Sequence, residues 1–271
     1  MSDRMHGSKP ADTNERGTQV DDLLPRDSEQ VYGRNPVLEA LRAGRPLNKI
    51  LVARGDRHGS LRQVMALAHE RQVPLVYADP RELDALVGGA HHQGVVALAA
   101  PRQYAEVEDI LALAHERGED PLIVVLDGIE DPQNLGSLIR TAEAAGAHGI
   151  VIPKRRAVGL TETAARVAAG AAEYLPVARV SNISQTLVAL KEAGCWIVGG
   201  DMAAEKTAYE QDLRGPIVLV IGSEGKGISR LVKERCDYLV KLPLRGRVGS
   251  LNAAVAGALL IYEVLRQRGA H

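Results

Sequence analysis

Phenylalanine is absent from this chain of 271 residues, tryptophan occurs once, and aromatic residues make up only 3 % of it. The core must therefore be assembled from Leu, Val, Ile and Ala. Hydrophobic residues at 45 % suffice for that, so a wholly disordered chain is excluded. Cysteine is scarce too. Cys195 and Cys236 alone cannot form a disulfide framework or a four-ligand zinc site, and both are expected to be buried and inert. Neither sign of charge dominates: 33 Lys and Arg stand against 34 Asp and Glu. That balance excludes a generally basic, histone-like nucleic-acid binder and leaves room for local basic patches. No run approaches the 18 or so apolar residues of a membrane span, and the N-terminus lacks the apolar core of a signal peptide. The expected location is the cytoplasm.

What is present falls into four stretches. Residues 1–28 are polar and broken by Gly and Pro, with four basic residues against six acidic ones, and read as a disordered tail. Residues 29–100 read as a small α/β domain. Helices are expected from Asn35-Pro36 to Gly44, over 61–70 and over 81–87, and strands over 49–53, 74–78 and 94–99, in a parallel or mixed sheet. Residues 101–120 carry a net charge of −4 between Pro101 and Pro121, which fits an inter-domain linker with one helix. Residues 121–271 alternate strands (122–126, 149–152, 196–198, 217–221, 238–242) with helices (near 135–145, 161–169, 183–193, 228–235 and 251–266). This is the pattern of a doubly wound parallel sheet. Trp196, beside an apolar strand, is expected in the core.

Three segments of that last stretch carry chemistry. The first, Asp131 to Thr141, follows the opening strand; Asn134 is a plausible N-cap and Gly146 a stop. It reads equally as a well-capped helix with a solvated Arg140 and as an arginine held near a strand's carboxyl end, where open α/β sheets bind ligands. The second, Ile217 to Ile228, runs a buried strand into a loop with three glycines. It is not a phosphate-binding GxxxxGK[ST] loop, because Gly227 follows Lys226 where Ser or Thr must hold Mg²⁺. Nor does a G-x-G-x-x-G follow the first strand, which disfavours a standard dinucleotide site. Glu224 between glycines is more than a turn needs. The third, Lys241 to Asn252, places Arg245 and Arg247 in a loop and Ser250 as the cap of a final helix so apolar all round that it should be buried. Asn252, just inside that helix, needs a polar partner.

Together these segments resemble the three motifs of the SpoU (TrmH-like) RNA ribose 2'-O-methyltransferases. The match rests on Asn134, Gly136 and Arg140, then Gly222, Ser223, Glu224, Gly225 and Gly227, then Pro243, Gly246, Ser250, Leu251 and Asn252. It extends to Val31–Leu41 and His92-Gln93-Gly94-Val95, which look like the family's N-terminal substrate-binding domain, and covers about residues 30–268. Gly159-Leu160-Thr161, Ala169-Gly170-Ala171 and Pro176-Val177 look most like the RlmB branch, which methylates a guanosine ribose of 23S rRNA. Departures are small. Leu242 and Leu244 stand where Ile and Met are common, and Ala253-Ala254 replaces a Val-Ser pair.

The resemblance implies an α/β fold: a C-terminal trefoil-knotted, mainly parallel-sheet domain that binds S-adenosyl-L-methionine (AdoMet), and a smaller N-terminal α/β RNA-binding domain. It implies AdoMet contacts at Gly222, Leu242 and Leu251, no metal, a homodimer formed through the knotted domain, and RNA as the partner rather than DNA or a membrane. The catalytic set carried over is Arg140, Asn134, Glu224, Ser250 and Asn252. An arginine is always protonated and makes a poor base. Arg140 is therefore assigned the stabilisation of negative charge developing on the ribose oxygen, and the alternative is that it holds an RNA phosphate that takes the proton. Asn134 would position Arg140 or the ribose. Glu224 would orient a basic partner, and Ser250 and Asn252 would organise the loop and the ribose. Arg34, Arg42, Arg45, Arg54 and Arg57 are candidate phosphate contacts, each also readable as solvated surface charge; His91 and His92 read as satisfied strand-entry residues. Three alternatives remain at this level: the same chemistry on tRNA or another rRNA site, a catalytically silent RNA-binding factor, and, more distantly, a nucleotide hydrolase.

Overall fold

The computed structural model describes residues 28–55, 59–247 and 249–269. The expected tail, up to residue 27, and Arg57 lie outside them. The N-terminal part contains β1 (Glu29–Tyr32), α1 (Arg34–Arg42), β2 (Leu47–Ala53), α2 (Ser60–Glu70), β3 (Leu75–Ala78), α3 (Pro80–Leu86) and β4 (Val95–Ala99). Its sheet runs β1-β4-β2-β3 and is mixed, with only β2 and β3 parallel. β1 is a strand that the sequence pattern does not announce. It is four residues long, lies at an edge, and is held by pairing with β4. Both faces are covered: α1 and α2 pack on one through Val37, Leu41, Leu61 and Val64, and α3 on the other through Leu83 and Leu86.

The second part contains α4 (Val107–Arg117), β5 (Leu122–Asp127), α5 (Pro132–Ala144), β6 (Gly149–Pro153), α6 (Glu162–Val167), β7 (Val177–Val180), α7 (Ile183–Glu192), β8 (Trp196–Gly200), β9 (Ile217–Gly222), α8 (Arg230–Lys233), β10 (Tyr238–Val240) and α9 (Ala253–Gln267). Its six strands are ordered β10-β8-β9-β5-β6-β7, all parallel. The alternation of β5 divides the core. Leu122, Val124 and Leu126 face α5 and α9, while Ile123 and Val125 face α4, α7 and α8. β7 is absent from the expected strands, being a short edge strand introduced by Pro176. The segment 101–120 supplies its one expected helix and packs on this sheet. Ile110 is fully buried against it, and Ala105 bridges to Ala178 of β7.

The two parts meet through charge. Arg45 and Arg102 pair with both Glu29 and Glu173, and in three of the four groups the side chain is no more than 11 % exposed. Tyr174 donates to Glu39 at 2.8 Å and Arg166 to the Tyr32 hydroxyl at 2.9 Å. This corrects the assignment of Arg45 as a phosphate contact: its guanidinium is spent inside the protein. Arg42 pairs with Glu39 on the surface, the Arg34 guanidinium holds the Gln93 carbonyl, and Arg54 is exposed. His92 is satisfied by Asp84 and Gly94 N–H, as expected of a strand-entry residue.

Two further expectations are corrected. Trp196 is 50 % exposed, its ring tilted against Tyr238 at 5.7 Å. β10 pairs with β8 only from Val198 onward, so no strand flanks Trp196 on that side. The final helix is not buried all round. Ala254, Gly257, Ile261 and Val264 face the core, but Val255, Leu259 and Tyr262 form an exposed apolar stripe. Cys195 is buried as expected, while Cys236 is only partly so; burial pushes the thiol of Cys195 up and that of Cys236 up to about 11.

Candidate active site

The carboxyl ends of β5 and β9 lie side by side at the centre of the sheet, with Asp127 opposite Gly222. Each runs into one of the chemistry-bearing segments. After β5, Asp131 caps α5 by accepting from Gln133 N–H, and Pro132 occupies the first helical turn, where its missing N–H is not needed. This corrects Asn134 as the N-cap. With the cap supplied three residues earlier, the amide of Asn134, 8 % exposed, points into the site instead.

After β9 the chain turns sharply. Ser223 and Gly227 exchange two backbone hydrogen bonds, of 2.9 and 3.2 Å, and close a loop that presents Glu224, Gly225 and Lys226. Gly225 and Gly227 have φ of 79° and 63°, where side chains are strained. A Cβ on Gly222 would stand 2.1 Å from the carbonyl carbon of Gly227, so the turn closes only over glycine.

The third segment delivers Asn252 to the same place. Its Oδ1 accepts from the N–H groups of Ala254 and Val255, so Asn252, not Ser250, caps α9. Ser250 is exposed at the cavity rim. The Nδ2 of Asn252 donates to Glu224 Oε1 at 2.5 Å and to Asn134 Oδ1 at 2.9 Å, while Asn134 Nδ2 donates to the same Glu224 oxygen at 3.1 Å. The backbone N–H of Ala253 adds a further bond at 3.3 Å. Three side chains separated by 90 and 28 residues thus close a single ring of hydrogen bonds, and Glu224 meets the positive end of α9.

Arg140 does not join them in this chain. Six residues beyond Asn134 it has turned about 240° around α5 and is exposed. Two cavities flank the loop that carries Glu224. The first, about 520 Å³, is lined by Gly222, Leu242 and Leu251, with Asp201, Ile221, Ser250 and Leu260 among the rest. All three residues expected to contact AdoMet are on its wall. Burial alone would raise the Asp201 carboxyl, but hydrogen bonds from Lys233 and Ala203 N–H hold it below the ordinary carboxylate range. The second, about 710 Å³, opens on the other side and is bordered by Arg155, Arg156, Asn182 and Lys226. Asn134 of the first motif and Ser223, Glu224 and Gly227 of the second line it too, but the rim of Arg155 and Arg156 lies outside all three motifs. Its signal in the sequence is three consecutive basic residues, Lys154, Arg155 and Arg156, directly after a buried strand. Among the described residues no group of three or more His, Cys, Asp or Glu is placed to hold a metal ion.

Comparison with known proteins defines the class. Residues 121–262 match the model of the SpoU rRNA Methylase family, and residues 30–105 match that of the RNA 2'-O ribose methyltransferase substrate-binding domain. The chain belongs to the SpoU family and is a methyltransferase of that group. Among its relatives is the putative TrmH family tRNA/rRNA methyltransferase YacO of Bacillus subtilis, 50 % identical over 90 % of this chain and 98 % of that one. Among solved structures, the SpoU methyltransferase AviRb of Streptomyces viridochromogenes, in complex with AdoMet, superposes with a TM-score of 0.78. It is 27 % identical, and the match covers 94 % of this chain and 99 % of AviRb. An AdoMet-bound rRNA methyltransferase of Sinorhizobium meliloti superposes with a TM-score of 0.72 at 25 % identity, over 88 % of this chain and 87 % of its own.

The smaller cavity fits that cofactor. Apolar walls (Ile221, Leu242, Leu251, Leu260) suit an adenine ring, and the glycine turns bring backbone polar groups to the surface. Gly225, Gly227 and Gly249 have nothing within 4 Å of where a Cβ would stand, so the space over these backbones is open.

Proposed function

We propose that this protein transfers the methyl group of AdoMet to the ribose 2'-hydroxyl of a guanosine in 23S rRNA, as members of the RlmB branch do. The observation that carries the reading is the hydrogen-bonded ring of Asn134, Glu224 and Asn252, whose Glu224 lies on the wall between the 520 Å³ cavity and the 710 Å³ one. Gly222, Leu242 and Leu251 would hold the cofactor, which supplies an electrophilic methyl carbon on a positively charged sulfur. The chain around it would take the knotted path of its family. Residues 29–100 would hold RNA structure away from the reacting nucleotide.

The weak point of such a reaction is the nucleophile. A ribose hydroxyl must shed its proton as it attacks, and negative charge grows on the oxygen. A fixed guanidinium beside that oxygen stabilises it, which is the role we assign to Arg140. Asn134 and Asn252 orient the ribose, Glu224 holds both amides in register, and Ser250 lines the approach. Because Arg140 points away from this ring within one chain, the complete site requires Arg140 from a second copy. The exposed stripe of Val255, Leu259 and Tyr262 on α9 is the apolar surface through which two copies would associate.

Tritiated AdoMet and ribosomal RNA from a strain lacking this protein test the reaction, with mapping of the methylated nucleotide separating 23S rRNA from tRNA. Near wild-type single-turnover rates for Arg140→Lys would show that guanidinium geometry is not needed. Mixing inactive Arg140→Ala and Glu224→Ala proteins tests the sharing of sites. Random exchange should restore about a quarter of wild-type activity, since half the dimers are mixed and each has one intact site. No recovery in exchanged dimers would place Arg140 and Glu224 in the same chain's site. A catalytically silent RNA-binding factor would give no heat with AdoMet in calorimetry.

A further inference from the structure

We infer that the 710 Å³ cleft is a nucleotide subsite, which seats one phosphodiester of the RNA strand next to the methylated ribose; this rests on the function proposed above. The cleft lies outside the carboxyl ends of β5 and β6 and the start of α7. Ser223, Glu224, Lys226 and Gly227 line both it and the cofactor cavity. A strand whose ribose reaches Asn134 and Glu224 therefore has this cleft as its immediate neighbour, and the volume is enough for one nucleotide.

The cleft's polarity points to the phosphate. On one rim Arg155 and Arg156 follow β6. Neither guanidinium makes a hydrogen bond or ion pair among the described residues, and both are exposed. Arg156 is one of four described non-glycine residues with positive φ, at 56°. The turn that strains it is held at both sides. Val158 N–H donates to Ile129 O at 2.9 Å, and the Arg156 carbonyl lies beside Gly128, next to Ser223. The turn bearing two arginines is thus fastened to the β5–α5 loop, which leads into the helix of Asn134 and passes beside Ser223. Strain kept at such a place is a mark of function rather than of packing.

A second element adds to the same rim. Ser181, Asn182, Ile183 and Ser184 line the cleft, so the ten-residue helix α7 directs its N-terminus into it. Asn182 caps one N–H, that of Gln185, and the helix dipole favours an anion there. The carboxylates on the lining do not oppose this equally. Asp127 accepts from Ser229 N–H at 2.7 Å, Asp131 caps α5 and Glu224 accepts from the two ring amides, while Glu130, next to Ile129, is exposed to solvent. Ile129, Pro153, Ile183, Leu231 and Val232 give the cleft apolar wall between the charged rims, suited to an unstacked base.

The test is a paired variant, Arg155→Ala with Arg156→Gly. Glycine tolerates the left-handed backbone, so the fold is not put at risk. RNA binding is read by filter retention across a salt series, and methyl transfer from tritiated AdoMet is read on the same RNA. The expected result is a KM for RNA raised at least tenfold, with AdoMet affinity by calorimetry unchanged. The slope of log affinity against log salt should become shallower by about 0.7 for each phosphate that the variant no longer neutralises. Arg155→Lys with Arg156→Lys should recover most of the salt slope and part of the KM. Wild-type KM and salt slope in the Ala/Gly variant would overturn the subsite while leaving the methyltransferase reading intact. Because filter retention reads the cleft without chemistry, a wild-type protein that binds RNA but transfers nothing would overturn the reaction and still decide the subsite.

Discussion

Asn252 uses the two ends of one amide for two tasks, and two substitutions separate them. Its Oδ1 caps α9 and its Nδ2 supplies both Glu224 and Asn134. Asn252→Ala removes both functions. Loss of the cap costs about 1 kcal/mol. Loss of the donor leaves the Asn134 Oδ1, in a side chain only 8 % exposed, without its partner, for about another 1–3 kcal/mol. Glu224 adds little, because it is exposed and keeps Asn134 Nδ2 and Ala253 N–H. The sum, about 2–4 kcal/mol, lowers the Tm of a domain of this size by about 6–12 °C. Asn252→Ser keeps a capping oxygen and loses the Nδ2 that reaches both Asn134 and Glu224. It should unfold about 3 °C above the Ala variant, in thermal scans by circular dichroism, and both should lose methyl transfer. A Ser variant no more stable than the Ala variant means that the side chain does not cap α9. A Ser variant with wild-type transfer means that the amide's donors have no part in the site.

Other perturbations follow from the same geometry. Gly222→Ala drives a methyl group into the Gly227 backbone, and AdoMet affinity by calorimetry should fall at least tenfold; unchanged affinity would refute the closed turn. Glu173→Ala removes one of the two anions shared by buried Arg45 and Arg102, and should cost about 3 kcal/mol in thermal unfolding and open the segment near residue 102 to trypsin. His148 is fully buried; burial holds its pKa below the ordinary value, and its Nδ1 accepts from Leu122 N–H. The unfolded chain therefore binds a proton that the folded one refuses. Stability should fall as pH drops below about 6.5, by at most about 1.4 kcal/mol per pH unit, until the folded His148 itself titrates. His148→Asn, which keeps an acceptor, should lose this component, so the stability gap between the two proteins must change between about pH 7 and pH 5.

The architecture of the second sheet is legible in the sequence because each central strand is a continuous apolar run buried on both faces, β5 and β9 above all. The edges are less so. β1 and β7 are four residues each, and their pairing comes from neighbours rather than from pattern. Caps fall two or three residues from where the sequence suggests them at both functional helices. Asn134 and Ser250 are good capping types, but Asp131 and Asn252 are too, and only the backbone decides which one turns toward the N–H groups. Trp196 and the outer face of α9 mislead for one reason. Apolar residues report that a surface is to be covered, not whether this chain covers it. The cleft behind Glu224 has only a partial signature, the basic run 154–156, since its two rims, at 155–156 and 181–184, are adjacent only after β6 and β7 pair.

The displaced caps also say how the site is kept in register. Had Asn134 capped α5, its amide would have been spent on backbone. Asp131-Pro132 takes that task and frees Asn134 to face Glu224. At α9 the arrangement is the reverse: the cap itself is the site residue, so Asn252 cannot leave Glu224 without fraying the helix it starts. Glu224 in turn accepts from Asn134, Asn252 and Ala253 through one oxygen. A displacement of any one of the three motifs therefore breaks bonds in the other two. That coupling ties the wall of the cofactor cavity to the fold's own stability. It also explains why the site needs an acid between glycines: a carboxylate oxygen accepts three donors at once, and the glycines let the backbone close around it.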